Sequence, residues 1–136
     1  MMSYFLANKV LDGMIGRTSI FSSATYLGLS TTAPTRDGKG YTEPPAENGY
    51  KRTALGISGQ LSSQKMRDGI SGGTQNKETI YFPEATGSWG DCTYYLLFDK
   101  AEEGNLLAYG ELDEPITPVN GTVPLIRIGE LQMTIS

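Results

Sequence analysis

The segment from Asp91 to Lys100 constrains the fold of this chain more than any other. It predicts a β-strand with two apolar faces, because alternate residues of a strand point to opposite sides of a sheet. Cys92, Tyr94, Leu96 and Phe98 fall on one side, and Thr93, Tyr95 and Leu97 on the other. A strand of this kind needs cover on both faces. We therefore predict that it is the central strand of an all-β domain.

An aromatic turn precedes this strand, and a second strand, at 105–112, follows it. The turn runs from Phe82 to Gly90 and contains Trp89, the only tryptophan of the chain. An indole at a strand corner usually closes the end of a core, because it buries a large area and needs one partner for its N–H group. We predict that Trp89, Phe82 and Tyr109 anchor the core. A sugar-stacking platform at Trp89 is the alternative.

Turn signals divide the remaining chain into short strands. Glycine (17) and proline (7) favour turns over long helices. Further strands are predicted at 25–32, 50–57, 79–82, 115–119, 122–128 and 131–136, with irregular structure or a short edge strand at 56–73. Asn120-Gly121 predicts a type I′ hairpin between two of them. The pattern indicates a mainly β fold, an antiparallel β-sandwich (immunoglobulin-like or jelly-roll-like), in one domain over residues 1–136.

The N-terminal residues 3–15 predict a short amphipathic helix. Ser3 is a suitable N-cap, and Leu6 and Val10 belong to one apolar face. A helix this short is marginal in water and must dock on another surface. That surface is either its own sheet or a neighbouring subunit.

Residues 33–49 predict a long surface loop rich in proline and glycine. Loops of this length in a compact domain are usually functional or disordered. We interpret the loop as one that contacts a partner, rather than as a surface loop without a function. Together with the helix, it gives the candidate assembly contacts Tyr41, Pro44, Pro45, Tyr50, Leu6 and Val10.

The composition argues against catalysis. Histidine is absent, which removes histidine-based acid–base chemistry, nucleophilic triads that use histidine, and most zinc sites. Glu102 and Glu103 are adjacent and point to opposite faces of a strand, so they do not form a glycosidase pair. Asp37, Glu43 and Glu47 lack the spacing of a calcium loop. We predict no enzyme activity, no cofactor and no metal.

Charge and hydropathy also exclude several partners. The net charge of −4 comes without a basic stripe, so nucleic-acid binding is not expected. No apolar run is long enough to span a membrane, and the first residues do not resemble a secretory signal. The single cysteine, Cys92, allows no internal disulfide and fits synthesis in a reducing cytoplasm.

Several motifs, in this order, resemble tailed-bacteriophage proteins commonly labelled tail fibre or virion structural proteins. The motifs are Tyr26–Pro34, Gly49–Arg52, Ile80–Pro83, Trp89–Gly90, Phe98-Asp99, Gly104–Gly110 and Gly129–Leu131. The stretch from Leu61 to Asn76 departs from the pattern.

The resemblance implies a non-enzymatic component of a phage virion, made in the host bacterial cytoplasm. It would act as an oligomer and assemble with other virion proteins, either on the tail or as a decoration of the capsid surface. A carbohydrate-binding module for host recognition, with a host surface glycan as its ligand, is the alternative.

Overall fold

The computed structural model describes residues 2–14, 25–55, 61–64, 72–76, 79–126 and 132–135. Within these ranges the fold is mainly β, with one α-helix, α1 (Tyr4–Met14), at the N-terminus. The strands are β1 (Thr25–Ser30), β2 (Thr53–Leu55), β3 (Leu61–Gln64), β4 (Gly72–Asn76), β5 (Ile80–Tyr81), β6 (Cys92–Phe98), β7 (Leu106–Ile116), β8 (Leu125–Ile126) and β9 (Gln132–Ile135). The mainly β prediction is confirmed.

The largest sheet has four antiparallel strands in the order β2-β1-β6-β7. Tyr26 of β1 pairs with Phe98 of β6, and Leu96 of β6 pairs with Tyr109 of β7. β6 is therefore flanked on both sides, as its two apolar faces predict. β7 is the longest described strand, and its residues 112–115 lie between the residues that pair with Tyr94 and Cys92 of β6.

Both faces of this sheet are covered. One face joins the two-stranded β5–β8 sheet in a common core, in which Leu27, Leu29 and Leu97 lie with Ile80 and Ile126. This is a sandwich-like arrangement. On the opposite face, a smaller cluster of Leu96, Phe98 and Leu106 is covered by partly buried tyrosines, namely Tyr26, Tyr41 and Tyr109.

Trp89 lies in the main core and is 1% exposed. Its ring makes edge-to-face contacts with Tyr50, at a centroid distance of 5.3 Å, and with Phe82, at 6.4 Å. The indole Nε1 donates a 2.7 Å hydrogen bond to the Asn48 carbonyl oxygen. Its ring and its polar atom are thus both occupied inside the protein, while Tyr109 is half-buried on the other face of the sheet.

Cys92 occupies a different face from the one that strict alternation predicts. It lies in the main core with Tyr95 and Leu97, whereas Leu96 and Phe98 lie in the smaller cluster. The change coincides with a register shift between Cys92 and Tyr94, opposite residues 112–115 of β7. At such an irregularity the regular pairing of the two strands is interrupted.

The Cys92 thiol is expected to react slowly and with an alkaline pH profile. Burial, with a smaller contribution from the Asp91 carboxylate, raises the pKa of Cys92 to about 11. The thiolate is the reactive form, so at neutral pH the folded protein should react with a thiol reagent about 100-fold more slowly than the denatured protein. The native rate should keep rising towards pH 11, beyond the point at which the denatured rate levels off. Equal native and denatured rates would contradict the buried position.

The Asn120-Gly121 turn does not connect a hairpin, contrary to prediction. Residues 117–119 and 122–124 lie outside the strands, and β8 pairs with β5. The turn is closed by a 2.9 Å hydrogen bond from the Thr122 N–H to the Val119 oxygen. Gly121 has a φ of 87°, but Asn120 does not have a positive φ. A type I′ turn needs positive φ at both central residues. This turn is therefore of another type, and the segments before and after it do not pair as a hairpin.

A three-stranded antiparallel sheet has the order β3-β4-β9. Met133 of β9 pairs with Thr74 of β4, and Ser63 of β3 pairs with the same residue. The prediction that residues 131–136 enter a sheet is confirmed. For 56–73, the short edge strand is confirmed by β3, but the prediction is wrong at 72–73, where the central strand β4 begins, and 56–60 and 65–71 lie outside the described residues. Backbone pairing here prevails over a polar sequence with little strand propensity.

α1 confirms the predicted N-terminal helix and its cap. The Ser3 hydroxyl accepts a 3.2 Å hydrogen bond from the Leu6 N–H, as an N-cap side chain does. Within the described ranges, no helix has the length and apolar character needed to cross a membrane.

Candidate assembly surface

The structure brings the two predicted contact segments, α1 and the loop 33–49, together. Met2 forms a bridge with Ala108 of β7, and the Ser3 N–H donates a 2.8 Å hydrogen bond to the Leu107 oxygen. The next residue, Tyr4, donates its N–H to the Arg36 oxygen at 2.8 Å. The start of α1 therefore lies between the edge of β7 and the loop. We refer to the exposed side of α1 and of residues 33–49 as the α1–loop surface.

The Arg36 side chain strengthens this junction. Its Nε donates a 3.2 Å hydrogen bond to the Met2 oxygen, and its guanidinium lies 4.9 Å from the centre of the Tyr4 ring. This distance is within the range of a cation–π contact. Tyr4 is still 54% exposed, and Leu11 is 59% exposed. Residues seven apart share a helix face, so the face that borders the loop carries two exposed apolar side chains.

The first half of the loop is ordered by its own hydrogen bonds. The Thr35 N–H donates to the Lys39 oxygen at 2.9 Å, and the Gly38 N–H donates to the Thr35 oxygen at 3.0 Å. The Asp37 carboxylate accepts hydrogen bonds from the Thr35 hydroxyl and the Lys39 N–H. These bonds, the one from Thr35 foremost, lower the pKa of Asp37. The carboxylate is thus engaged in the turn itself.

A partly buried ion pair fixes the middle of the loop to the four-stranded sheet. Arg52 donates from Nη2 to Glu43 Oε1 at 2.7 Å and from Nε to Glu43 Oε2 at 3.0 Å. The Arg52 side chain is 5% exposed and that of Glu43 is 21% exposed. A two-pronged contact between a guanidinium and a carboxylate combines charge with fixed geometry. Burial opposes the charge of Arg52, but the bonds to Glu43 prevail and raise its pKa.

The same guanidinium connects the loop to the turn between β6 and β7. Nη1 donates to the Lys100 oxygen at 3.0 Å and to the Glu103 oxygen at 2.6 Å. The guanidinium carbon also lies 3.4 Å from the centre of the Phe98 ring. Arg52 thus joins the loop, the sheet and the β6–β7 turn through one planar group.

Tyr50 completes the network from the core side. Its hydroxyl donates to Glu43 Oε2 at 2.5 Å and accepts from the Leu29 N–H at 3.2 Å. Burial, followed by the charge of Glu43, raises the pKa of Tyr50. A Cβ atom at Gly28 would lie 2.6 Å from this hydroxyl. The glycine therefore provides the space that the network needs.

The end of the loop is held by a second set of contacts. The Asn48 oxygen accepts from the Trp89 indole and, at 2.9 Å, from the Thr86 N–H. The Asn48 amide donates to the Ser88 oxygen at 2.8 Å. Gly49 has a φ of 87° and lies against the Glu84 oxygen, which a Cβ atom would approach to 2.8 Å. The residue that anchors the core therefore also positions the loop.

An open pocket of about 560 Å³ lies beside the ion pair. Its lining residues come from 43–46, 50–52 and 101–103. The polar groups at its base already have partners, because both Glu43 oxygens and the nitrogens of Arg52 are engaged within the chain. Among the described residues, no cluster of acidic or cysteine side chains could hold a metal ion.

The predicted contact residues have different positions in the structure. Pro45 is exposed, while Leu6 and Tyr41 are half-buried and Tyr41 contacts the Phe98 ring at 5.4 Å. Tyr50 and Pro44 are buried, so assigning them as surface contacts was wrong. Tyr50 is instead a core residue, because its ring contacts Trp89 and its hydroxyl is bonded inside the protein. The side chain of Val10 lies outside the described part.

Sequence reasoning missed Arg36 and Arg52, the two cations that hold the surface together. Neither lies in an apolar pattern, and the partners of Arg52 extend from Glu43 to Glu103. The one available signal was Arg52 directly before β2 and two residues after Tyr50, whose ring was itself expected at the surface.

Comparison with known proteins gives a family for the chain. A family model described as podophage GP4 fiber I protein gp80 matches residues 1–134. A search of curated proteins gives no match.

Proposed function

This chain belongs to the family of podophage GP4 fiber I protein gp80, and from that membership we propose that it assembles into the phage fibre through the α1–loop surface. Family membership makes the chain a phage tail fibre protein and a component of the virion. The proposed partners are other virion proteins and further copies of the chain. The proposed mode of action is non-enzymatic, by contact between complementary surfaces of a single domain.

The observation that carries this proposal is that α1 and the loop form one ordered surface. Hydrogen bonds join them at Tyr4 and Arg36, and the Glu43–Arg52 pair holds the loop against the sheet. Ordering a segment before binding reduces the entropy lost on association. A long loop with this many internal bonds is therefore well suited to be a contact surface.

The glycan-binding alternative gains no support from Trp89. The indole is 1% exposed and its Nε1 is bonded to Asn48, so it offers no face on which a sugar ring can stack. Because Trp89 offers no such face, we place assembly first and treat glycan recognition as an outcome to be tested. A glycan would have to use another aromatic side chain, and Tyr81, at 59% exposed, is the most exposed one of the described residues.

The surface is tested by adding charge where the side chains are exposed. We expect Leu11→Arg combined with Ala46→Arg to reduce incorporation into purified particles by about tenfold or more, because interface centres do not accept unpaired charge. Both side chains are exposed, so the isolated protein should remain folded. Incorporation is measured by quantitative mass spectrometry of particles from a phage that carries the variant.

The matched control is Val119→Arg combined with Val123→Arg, at two exposed apolar residues beside a different turn. Incorporation of this variant should match the wild type. Equal loss in both variants, or no loss in the first, would contradict the proposal. Deletion of the whole loop is unsuitable, because it removes Glu43 and leaves the buried Arg52 without its partner.

A further inference from the structure

The chain contains two Asn-Gly pairs, Asn48-Gly49 and Asn120-Gly121, in very different surroundings. Asn-Gly is the dipeptide at which the backbone nitrogen of the second residue most readily attacks the side-chain amide of the first, because glycine has no side chain to obstruct the approach. We propose that Asn120 is a site of spontaneous deamidation in the folded protein and that Asn48 is protected.

In the proposed reaction, the Gly121 nitrogen loses its proton and attacks Cγ of Asn120. A bond forms between these two atoms, the bond from Cγ to Nδ2 breaks, and ammonia leaves with the transferred proton. The product is a five-membered succinimide. Water then opens the ring at either carbonyl, which gives aspartate or isoaspartate. No oxidant, reductant or enzyme is needed.

The surroundings of Asn120 do not obstruct this reaction. Both Asn120 and Gly121 are exposed. The described part of the structure gives the Asn120 side chain no hydrogen-bond partner. A Cβ atom at Gly121 would meet nothing within 4 Å, so there is room for the ring to form.

Asn48 is held in place by its neighbours. Its Nδ2 donates to the Ser88 oxygen at 2.8 Å, and its amide lies directly against Gly87. Its own carbonyl oxygen accepts hydrogen bonds from Trp89 and Thr86. The side chain cannot turn towards the Gly49 nitrogen without breaking its bond to Ser88 and leaving its position against Gly87.

At both sites the N–H group of the glycine is hydrogen-bonded, so this bond does not distinguish them. The Gly121 N–H donates to the Ala85 oxygen at 2.8 Å, and the Gly49 N–H donates to the Ala46 oxygen at 3.0 Å. Each of these bonds must open before attack. The difference between the sites therefore comes from the side chain. Releasing one hydrogen bond costs up to about 1.5 kcal/mol, so Asn120 should react roughly tenfold faster than Asn48.

The change also has a structural consequence. Aspartate or isoaspartate places a negative charge in an exposed turn that has the exposed residues Val119 and Val123 near it in sequence. Isoaspartate also lengthens the backbone by one carbon inside the turn closed by Val119 and Thr122. Ageing should therefore alter this turn and leave the loop at Asn48 intact.

The test is peptide mapping by mass spectrometry after prolonged incubation of the full chain in mildly alkaline buffer. Fragment spectra locate the mass increase produced when an amide becomes a carboxyl. The expected result is conversion at Asn120 roughly tenfold faster than at Asn48. The same chain in denaturant should convert at both sites at similar rates, and Asn120→Gln should remove the faster reaction. Conversion at Asn48 as fast as at Asn120 in the folded protein would overturn the proposal, as would no conversion at Asn120 while the denatured control reacts.

Discussion

Trp89→Ala is expected to lower the free energy of unfolding by about 4 kcal/mol, because the indole is buried and the alanine leaves a cavity. The contacts with Tyr50 and Phe82 are lost, and the Asn48 oxygen loses one of its two donors. This loss is a large fraction of the 5–15 kcal/mol by which domains are typically stable. Chemical denaturation monitored by circular dichroism measures the change.

Trp89→Phe and Val123→Ala are the comparisons for this variant. The phenylalanine retains part of the apolar volume but not the N–H group. Trp89→Phe should therefore lower the free energy of unfolding by less than Trp89→Ala does. Val123 is exposed, and its substitution should change stability by no more than about 0.5 kcal/mol. If Trp89→Ala were as stable as Val123→Ala, the indole would not be the anchor of this core.

Arg52→Ala is expected to lower the free energy of unfolding by about 3 kcal/mol, because removing one partner of a partly buried pair leaves the charge of the other uncompensated. The Glu43 carboxylate, the Lys100 and Glu103 oxygens and the face of the Phe98 ring all lose the same group. Glu43 retains some access to solvent, which keeps the estimate at the lower end of the range for buried pairs. Denaturant unfolding gives the change in stability.

Lys51→Ala is the matched control for Arg52→Ala, because Lys51 is the adjacent residue and is exposed. It should have almost no effect on stability. Limited proteolysis distinguishes a local from a global role: Arg52→Ala should expose the loop 33–49 to cleavage under conditions in which Lys51→Ala remains intact. Equal protection of the loop in both variants would show that Arg52 does not hold it.

Much of the fold could be predicted from local patterns. The alternation along β6 indicated its central position, because each face carries apolar side chains that require cover. The cap at Ser3 identified the start of α1 from a single polar residue before an apolar stripe. Period-two alternation at the C-terminus indicated β9. Each of these signals lies within one element, where side-chain periodicity reports which face is buried.

The parts that could not be predicted depend on relations between distant residues. The position of Cys92 coincides with a register shift against β7, which the sequence of β6 does not reveal. The Asn120 turn does not connect a hairpin because β8 pairs with β5, which precedes it in the chain by more than forty residues. The Glu43–Arg52 pair has no regular spacing, and only the folded loop brings the two residues together. Tyr50 was placed at the surface for the same reason, since its neighbours in space are remote in sequence.

The family gives the general role of the chain, and the geometry suggests where the chain makes its contacts. Membership of the podophage fibre family makes the chain a structural part of the virion. The geometry adds a particular surface, in which α1 and the loop are joined at Tyr4 and Arg36 and supported by Arg52. We propose that this surface is the one that contacts other proteins in the particle.

Site-specific photo-crosslinking in assembled particles identifies the surface of the chain that touches other proteins. A photoreactive residue is placed at Ala46 on the loop or at Glu114 on β7, both of which are exposed. We predict that illumination of purified particles links the Ala46 variant to another virion protein or to a second copy of the chain, and that the Glu114 variant gives little product. Crosslinks from Glu114 but not from Ala46 would show that the chain assembles through a different surface.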